Sequence, residues 1–278
     1  MFIYAYDDAL TRVEKLIMTL FEVGAMAQAD LMKVLGMNDY TLSRTIASTN
    51  GGGKKDLKIG SIIERPGVRN SGKIRYLTRN GLEMVASTLG IAPPNKKLIL
   101  NEAEVRITAQ LAKYAATYNA NKKYTNTKYL GPYQIAERYH LMVEEIEHDE
   151  KYQVKLPWPT AMLINFPEDT SEETEYVWLA WISHVMQYEH MEDRIEQWGA
   201  VVRRPKDFSK DYYAGKNGVV FVCPTRQLKT QIDDMASSGS MLRRTMRDVV
   251  SLDDLNQHDM YILRKGTVVP PQPQTKHH

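Results

Sequence analysis

The residues with the clearest capacity for chemistry are 38–50, NDYTLSRTIASTN, which run directly into GGGKKDLKIG. Hydroxyls, amides, an acid and a guanidinium crowd a short helix whose large aliphatic residues are only Leu42 and Ile46. Serine and threonine give up rotamer freedom in a helix and compete for its backbone, so propensity alone does not account for this segment. A double-helical groove does. Base edges offer hydrogen bonds and thymine methyl groups, and the side chains that read them are short, polar or forked. With Leu42 and Ile46 turned inward at spacing i, i+4, Asp39, Tyr40, Thr41, Ser43, Arg44 and Thr45 flank or face away from the core, and Asn38 beside them is a further candidate for DNA contact. Arg44 suits a bidentate contact with guanine, while Tyr40, Thr41, Ser43 and Thr45 suit phosphates or thymine methyls. Asn38 is also the natural N-cap.

Charge follows the same segment. The net charge of the whole chain is +2. Residues 40–80 nevertheless hold nine bases (Arg44, Lys54, Lys55, Lys58, Arg65, Arg69, Lys73, Arg75 and Arg79) against two acids, Asp56 and Glu64. Such a local surplus is the footprint of a module that neutralises phosphates. Lys54, Lys55 and Lys58 are placed to follow the nucleic-acid backbone after the helix. Arg69, Asn70, Lys73 and Arg75 surround a turn that could enter a minor groove or grip phosphate. The plainer alternative is a polar helix in a protein-binding fold, and the nine-to-two imbalance weighs against it. Residues 144–150, EEIEHDE, are the acidic counterpoint.

The elements that must position these residues are legible around them. Leu10, Val13, Leu16, Ile17, Leu20 and Phe21 predict a helix that begins near Asp7 and Asp8 and ends at Gly24. A second helix is expected over 27–35 with Gly36 as its stop, and the polar helix follows. SIIERPGV and KIRYLT read as two strands joined by RNSG, and Thr78 caps a helix that buries Leu82, Val85 and Leu89. The expected unit, residues 1–92, is a winged helix-turn-helix, and 93–100 with its two prolines is the expected linker.

Residues 101–265 are expected to form an α/β domain with a mixed sheet, making the chain α+β as a whole. Asn101 and Glu104 form a capping box, with Ile107, Leu111, Tyr114 and Tyr118 behind it. A polar loop, NANKKYTNTKYLG, leads to a helix with Pro132 in its first turn and Ile135, Tyr139, Met142 and Ile146 inward. TAMLINF, YVWLAWI and GVVFVC are apolar runs suited to strands covered on both faces. A helix capped by Ser183 presents Tyr188, Met191, Ile195 and Trp198, and TRQLKTQIDDMA and YILRK follow as helix and strand. Trp178 and Trp181 must face opposite sides of the sheet. The tail, 266–278, is Pro- and Gln-rich and expected to be disordered.

The run GSIIERPGV…KIRYLTRNGLEMV resembles the replication-relaxation family of bacterial plasmids and integrative elements. That resemblance implies a second domain similar to restriction endonucleases. In the nuclease pattern an acid follows a proline at one strand start, and a second acid with a lysine lies on the next strand, to hold a metal. Here Thr160 follows Pro159, and residues 176–182 are apolar. Acids occur only in the connection, at Glu168, Asp169, Glu172, Glu173 and Glu175. The expected domain is therefore a degenerate, non-catalytic scaffold, with no cofactor and no metal.

Other chemistry is sparse. His184 and His190 are six apart, unlike the three- or four-residue spacing of zinc ligands on one helix. Cys223 is the single cysteine and is expected to pack as a small hydrophobe. No run of about 18 apolar residues spans a bilayer, and MFIYAYDDALTR lacks a basic n-region, so a cytoplasmic protein is expected. The expected partner is double-stranded DNA at a replication or transfer origin. The second domain is expected to form a homodimer or recruit a relaxase, a replication protein or another processing protein. A transcriptional repressor and a divergent metal-dependent nuclease are the alternatives.

Overall fold

The computed structural model describes residues 2–51, 56–65, 67, 69, 71–94, 96–117, 124–136, 158–167, 173–183, 188–203, 216–238, 246–255, 262–264 and 267–269. After a 3-10 turn at Tyr4–Tyr6, helix α1 (Arg12–Val23) is followed by strand β1 (Ala25–Ala27), helix α2 (Gln28–Leu35) and helix α3 (Asp39–Asn50). Strands β2 (Ile59–Ile63) and β3 (Lys73–Leu77) and helix α4 (Arg79–Leu89) complete the N-terminal unit. Helix α5 (Glu102–Thr117), strands β4 (Tyr124–Leu130), β5 (Ala161–Pro167) and β6 (Glu175–Trp181) and helix α6 (Tyr188–Arg203) come next. Strand β7 (Lys216–Cys223), helix α7 (Arg226–Ser238), strand β8 (Met246–Ser251), the short helix α8 (Leu252–Leu255) and the pair β9 (Ile262–Arg264) and β10 (Thr267–Val269) end the chain.

Local signals explain most helix boundaries. α1 starts at Thr11 rather than at Asp7 or Asp8, because the Thr11 and Glu14 side chains satisfy each other's backbone N–H groups in a capping box. Asn38 caps α3 by accepting from the Thr41 N–H at 2.8 Å. Thr78 caps α4, and Asn101 and Glu104 cap α5 reciprocally. α2, α3 and α4 stop at the left-handed glycines Gly36, Gly51 and Gly90.

Two sheets organise the molecule. In the smaller one the order is β1-β3-β2, all antiparallel, so β3 is central. In the larger one the order is β4-β5-β6-β7-β8; β4, β5 and β6 are antiparallel neighbours, and β6, β7 and β8 run parallel. Among the described residues β9 and β10 pair only with each other. The chain is thus α+β with one mixed sheet. β4 lies where a polar loop was expected: in YTNTKYL, Thr127 and Tyr129 alternate inward and are buried, a period-two pattern that the intervening Asn and Lys disguise. β8 was likewise not foreseen, and residues 139, 142 and 146 of the expected helix lie outside the described residues.

The large sheet separates two apolar layers by strand alternation. Met162, Ile164, Trp178, Ala180, Val219, Phe221 and Cys223 face α6 and α7, where Trp178 packs on Trp198 with ring centroids 5.8 Å apart. Ala161, Leu163, Val177, Leu179, Val220 and Val222 face the other way, into the cluster that contains Leu16, Leu20, Met26, Leu42 and Ile74 of the N-terminal unit. Trp181 packs against this second layer, opposite Trp178, as the odd spacing requires. The core is therefore continuous across 93–100, with Leu100 and the buried side of α5 bridging the two halves. At Gly131 a Cβ would lie 2.0 Å from the Glu22 carbonyl oxygen, so only glycine permits this approach of β4 to α1. Among the described residues no helix is long and apolar enough to cross a membrane.

Candidate nucleic-acid interface

α3 is amphipathic in an unusual way. Its buried residues, Leu42, Thr45, Ile46 and Thr49, follow the i, i+3, i+4, i+7 pattern. Tyr40, Ser43, Arg44 and Ala47 repeat that pattern on the opposite side and are all exposed, as are Asn38 and Asp39; Tyr40 retains 71% of its surface. Thr45 corrects the expectation that it belongs to the outward set. It is buried, and its hydroxyl donates to the Thr41 carbonyl at 2.8 Å, as Thr49 does to Thr45. A buried threonine satisfies its hydroxyl on the preceding turn while its methyl group packs. Thr41 is half-buried on the far flank of the helix.

Two side-chain latches fix α3 beside the hairpin of β2 and β3. At its C-terminal end Asn50 accepts from the N–H groups of Lys58 and Ile59 at 3.0 and 2.9 Å and donates to the Ile59 carbonyl at 3.1 Å. At its N-terminal end the Gln28 amide donates to Asp39 Oδ1 at 2.6 Å, and its oxygen accepts from Arg75 Nε at 2.8 Å. Arg75 therefore does not surround a turn tip, as expected from the sequence. It sits mid-strand in the central β3, opposite Met26 on one side and Ser61 on the other. It is half-buried there; burial pulls its pKa down and the nearby Asp39 carboxylate opposes that. Neither Asn50 nor Gln28 was singled out from the sequence, whereas Asp39 belongs to the expected outward set and is exposed.

Register shows what else shares this surface. Cross-strand partners point to the same side, so Ser61, Ile63, Lys73 and Arg75 line one face of the hairpin, through the pairs Ser61–Arg75 and Ile63–Lys73. Arg75 reaches α3 through Gln28, which identifies that face as the one beside α3. Ser61, Ile63 and Lys73 are exposed. The loop joining the strands is nine residues, 64–72, longer than the expected RNSG turn. Its base is closed by the Glu64 N–H to Gly72 carbonyl bond at 2.9 Å and the Arg65 N–H to Ser71 Oγ bond at 2.7 Å. Arg65 and Arg69 are exposed on it. Lys58 is half-buried, with its backbone fixed by Asn50 and by the Thr78 N–H. Lys54, Lys55 and Asn70 lie outside the described residues.

The hairpin also has an outer edge. Residues 58 and 64 bond to 78 and 72 across the ladder, so by alternation 59, 61 and 63 direct their peptide groups away from β3. Asn50 takes those of Ile59. Arg106 of α5 donates through Nε to the Ile63 carbonyl at 3.4 Å and pairs with Glu102 at 3.3 Å.

The larger sheet offers a contrasting site. Thr160 is buried, and its hydroxyl donates to the Leu179 carbonyl at 3.1 Å. Glu175 is the first residue of β6 rather than part of the connection. Its carboxylate accepts from Asn165 Nδ2 at 3.2 Å, and Asn165 Oδ1 accepts from the buried Thr127 hydroxyl at 2.9 Å. That row lies at the opposite end of the β5–β6 pair from Thr160. Among the described residues no three His, Cys, Asp or Glu side chains are grouped to hold a metal; His184 and the side chain of His190 are outside that set. Cys223 is buried among apolar neighbours, as expected of a small hydrophobe. Comparison of the chain with protein-family models, with curated proteins and with solved structures found no match.

Proposed function

We propose that residues 2–92 are a winged helix that binds double-stranded DNA, with α3 in the major groove and the β2–β3 hairpin as the wing. The observation that supports this reading is the pairing of an exposed Tyr40–Ser43–Arg44 stripe with a hairpin carrying Arg65, Arg69 and Lys73, the two held together at both ends of α3. A helix that turns short polar residues and one guanidinium outward, on a rigid mount, matches the demands of base readout. The role in view is recognition of a replication or transfer origin on a mobile element, with the larger sheet as a non-catalytic platform. Supporting the latter is the lateral use of Thr160 and Glu175 as hydrogen-bonding residues within the sheet.

The test is binding of duplexes selected from random sequence by the full-length chain. Arg44→Ala should lose about 1–3 kcal/mol of discrimination at one base pair, whereas Lys54→Ala/Lys55→Ala should weaken all sequences alike. If seven cations of residues 40–80 neutralise phosphates, the logarithm of affinity should fall against the logarithm of salt with a slope near about −6. Variants that bind like the parent would remove residues 38–55 from the interface. Cleavage of supercoiled DNA with magnesium or manganese, abolished by Glu172→Ala/Glu175→Ala, would replace the platform reading with a nuclease.

A further inference from the structure

α3 opens on an acid, and that acid is held. Asp39 is exposed in the first turn, the part of a groove-entering helix that meets base edges. A carboxylate on a surface meant for phosphate is repelled unless it meets a donor. Gln28 fixes its orientation. The amide has one acceptor oxygen and one NH2 group, and Arg75 brings only donors. The oxygen must therefore turn to Arg75 and the NH2 to Asp39, as the 2.8 and 2.6 Å bonds record. The relay runs one way, from guanidinium through amide to Oδ1. Among the described residues Oδ2 makes no hydrogen bond, and a carboxylate oxygen can only accept.

In the major groove the base-edge donors are the amines of cytosine and adenine. Adenine sets an acceptor, N7, beside its amine, which an amide side chain can satisfy and a carboxylate cannot. Cytosine offers its amine without that neighbour. Resting on the DNA-binding reading above, we propose that Asp39 is a specificity-determining residue that accepts from a cytosine amine, and that Gln28 and Arg75 are its positioning residues. The cytosine is distinct from the guanine read by Arg44. The two side chains are five residues apart, about 7.5 Å along the helix axis.

Selection of random duplexes by the full-length parent, Asp39→Ala, Asp39→Asn, Asp39→Glu, Gln28→Ala and Arg44→Ala tests this, with thermal unfolding confirming that each is folded. The parent should enrich a site with a cytosine whose preference over other bases falls about ten-fold in Asp39→Ala. Asp39→Asn should move that one position towards adenine. Asp39→Glu keeps the charge and the helix-terminal electrostatics but displaces the carboxylate from Gln28, and should lose the cytosine; Gln28→Ala should weaken the same position and no other. If every Asp39 variant enriches the parent's site unchanged while Arg44→Ala alters it, Asp39 serves only the helix terminus and the inference falls, though DNA recognition stands. If the parent enriches no site, both fall together.

Discussion

In α3 four of twelve residues are buried, and the outward side is free for contact; in β6 four of seven are buried and none is exposed. The difference follows from where each element sits. α3 rests on the surface of a helical cluster, so one stripe suffices for packing and two side-chain latches supply the remaining precision. β6 is central in a sheet covered on both sides, so Val177 and Leu179 fill one layer and Trp178 and Ala180 the other. A strand used in this way has few side chains left for metal or water. The contrast separates an element spent on packing from one with an open outward side, on one continuous core.

That separation can be broken from the stability side first. Phe221→Ala, in the parallel strand beside β6, should cost ~3–5 kcal/mol in denaturant unfolding and leave the base preference of any surviving folded protein intact. Next in size is Glu22, buried in α1, where it accepts from the backbone N–H groups of Ile3 and Tyr4. Burial pushes its pKa up from the usual 4.5 to about 7. The folded state therefore holds the proton more tightly than the unfolded one, so its contribution is greatest below pH 4.5. Stability from this group should fall by about 3 kcal/mol as pH rises to 7. Glu22→Gln should flatten that slope in unfolding titrations.

Smaller effects sharpen the recognition side. Arg44→Ala should change unfolding free energy by less than about 0.5 kcal/mol, since the residue is exposed, while altering DNA discrimination as set out above. Tyr40→Ala and Ser43→Ala should be equally silent in unfolding and visible only in DNA affinity. A large loss of stability in any of the three would mean that the outward stripe of α3 packs against something.

Features that depend on neighbours in sequence were legible. Asn38, Thr78 and the Asn101–Glu104 pair cap their helices within three residues, and Gly24 and Gly36 need only their own backbone angle. The wide apolar strands also declared themselves, because burial on both faces leaves a continuous run. Features that depend on distant partners were not. Gln28 and Arg75 are 47 residues apart, and nothing local in either marks the bond. Thr45 was misplaced because threonine is read as polar, although with Leu42, Ile46 and Thr49 it completes a helical stripe. Arg75 was assigned to a turn because β3 was not known to be central, a fact that required the three-residue strand β1. β4 was hidden because Asn126 and Lys128, the polar positions of its alternation with Thr127 and Tyr129, make the segment read as a loop.

The outer edge of β2 has a consequence for the molecule's company. A strand with open peptide groups is a template on which a second copy, or any extended chain, can continue the sheet. A long exposed hairpin with Ile63 at its end would be especially inviting. Here Asn50 occupies one end of that edge and Arg106 the other, with Ser61 alone between them. One open position is too short for a strand to dock. A residue from α3 and a residue from α5 together occupy most of the ladder's outer side, which leaves the hairpin edge little room for a second strand.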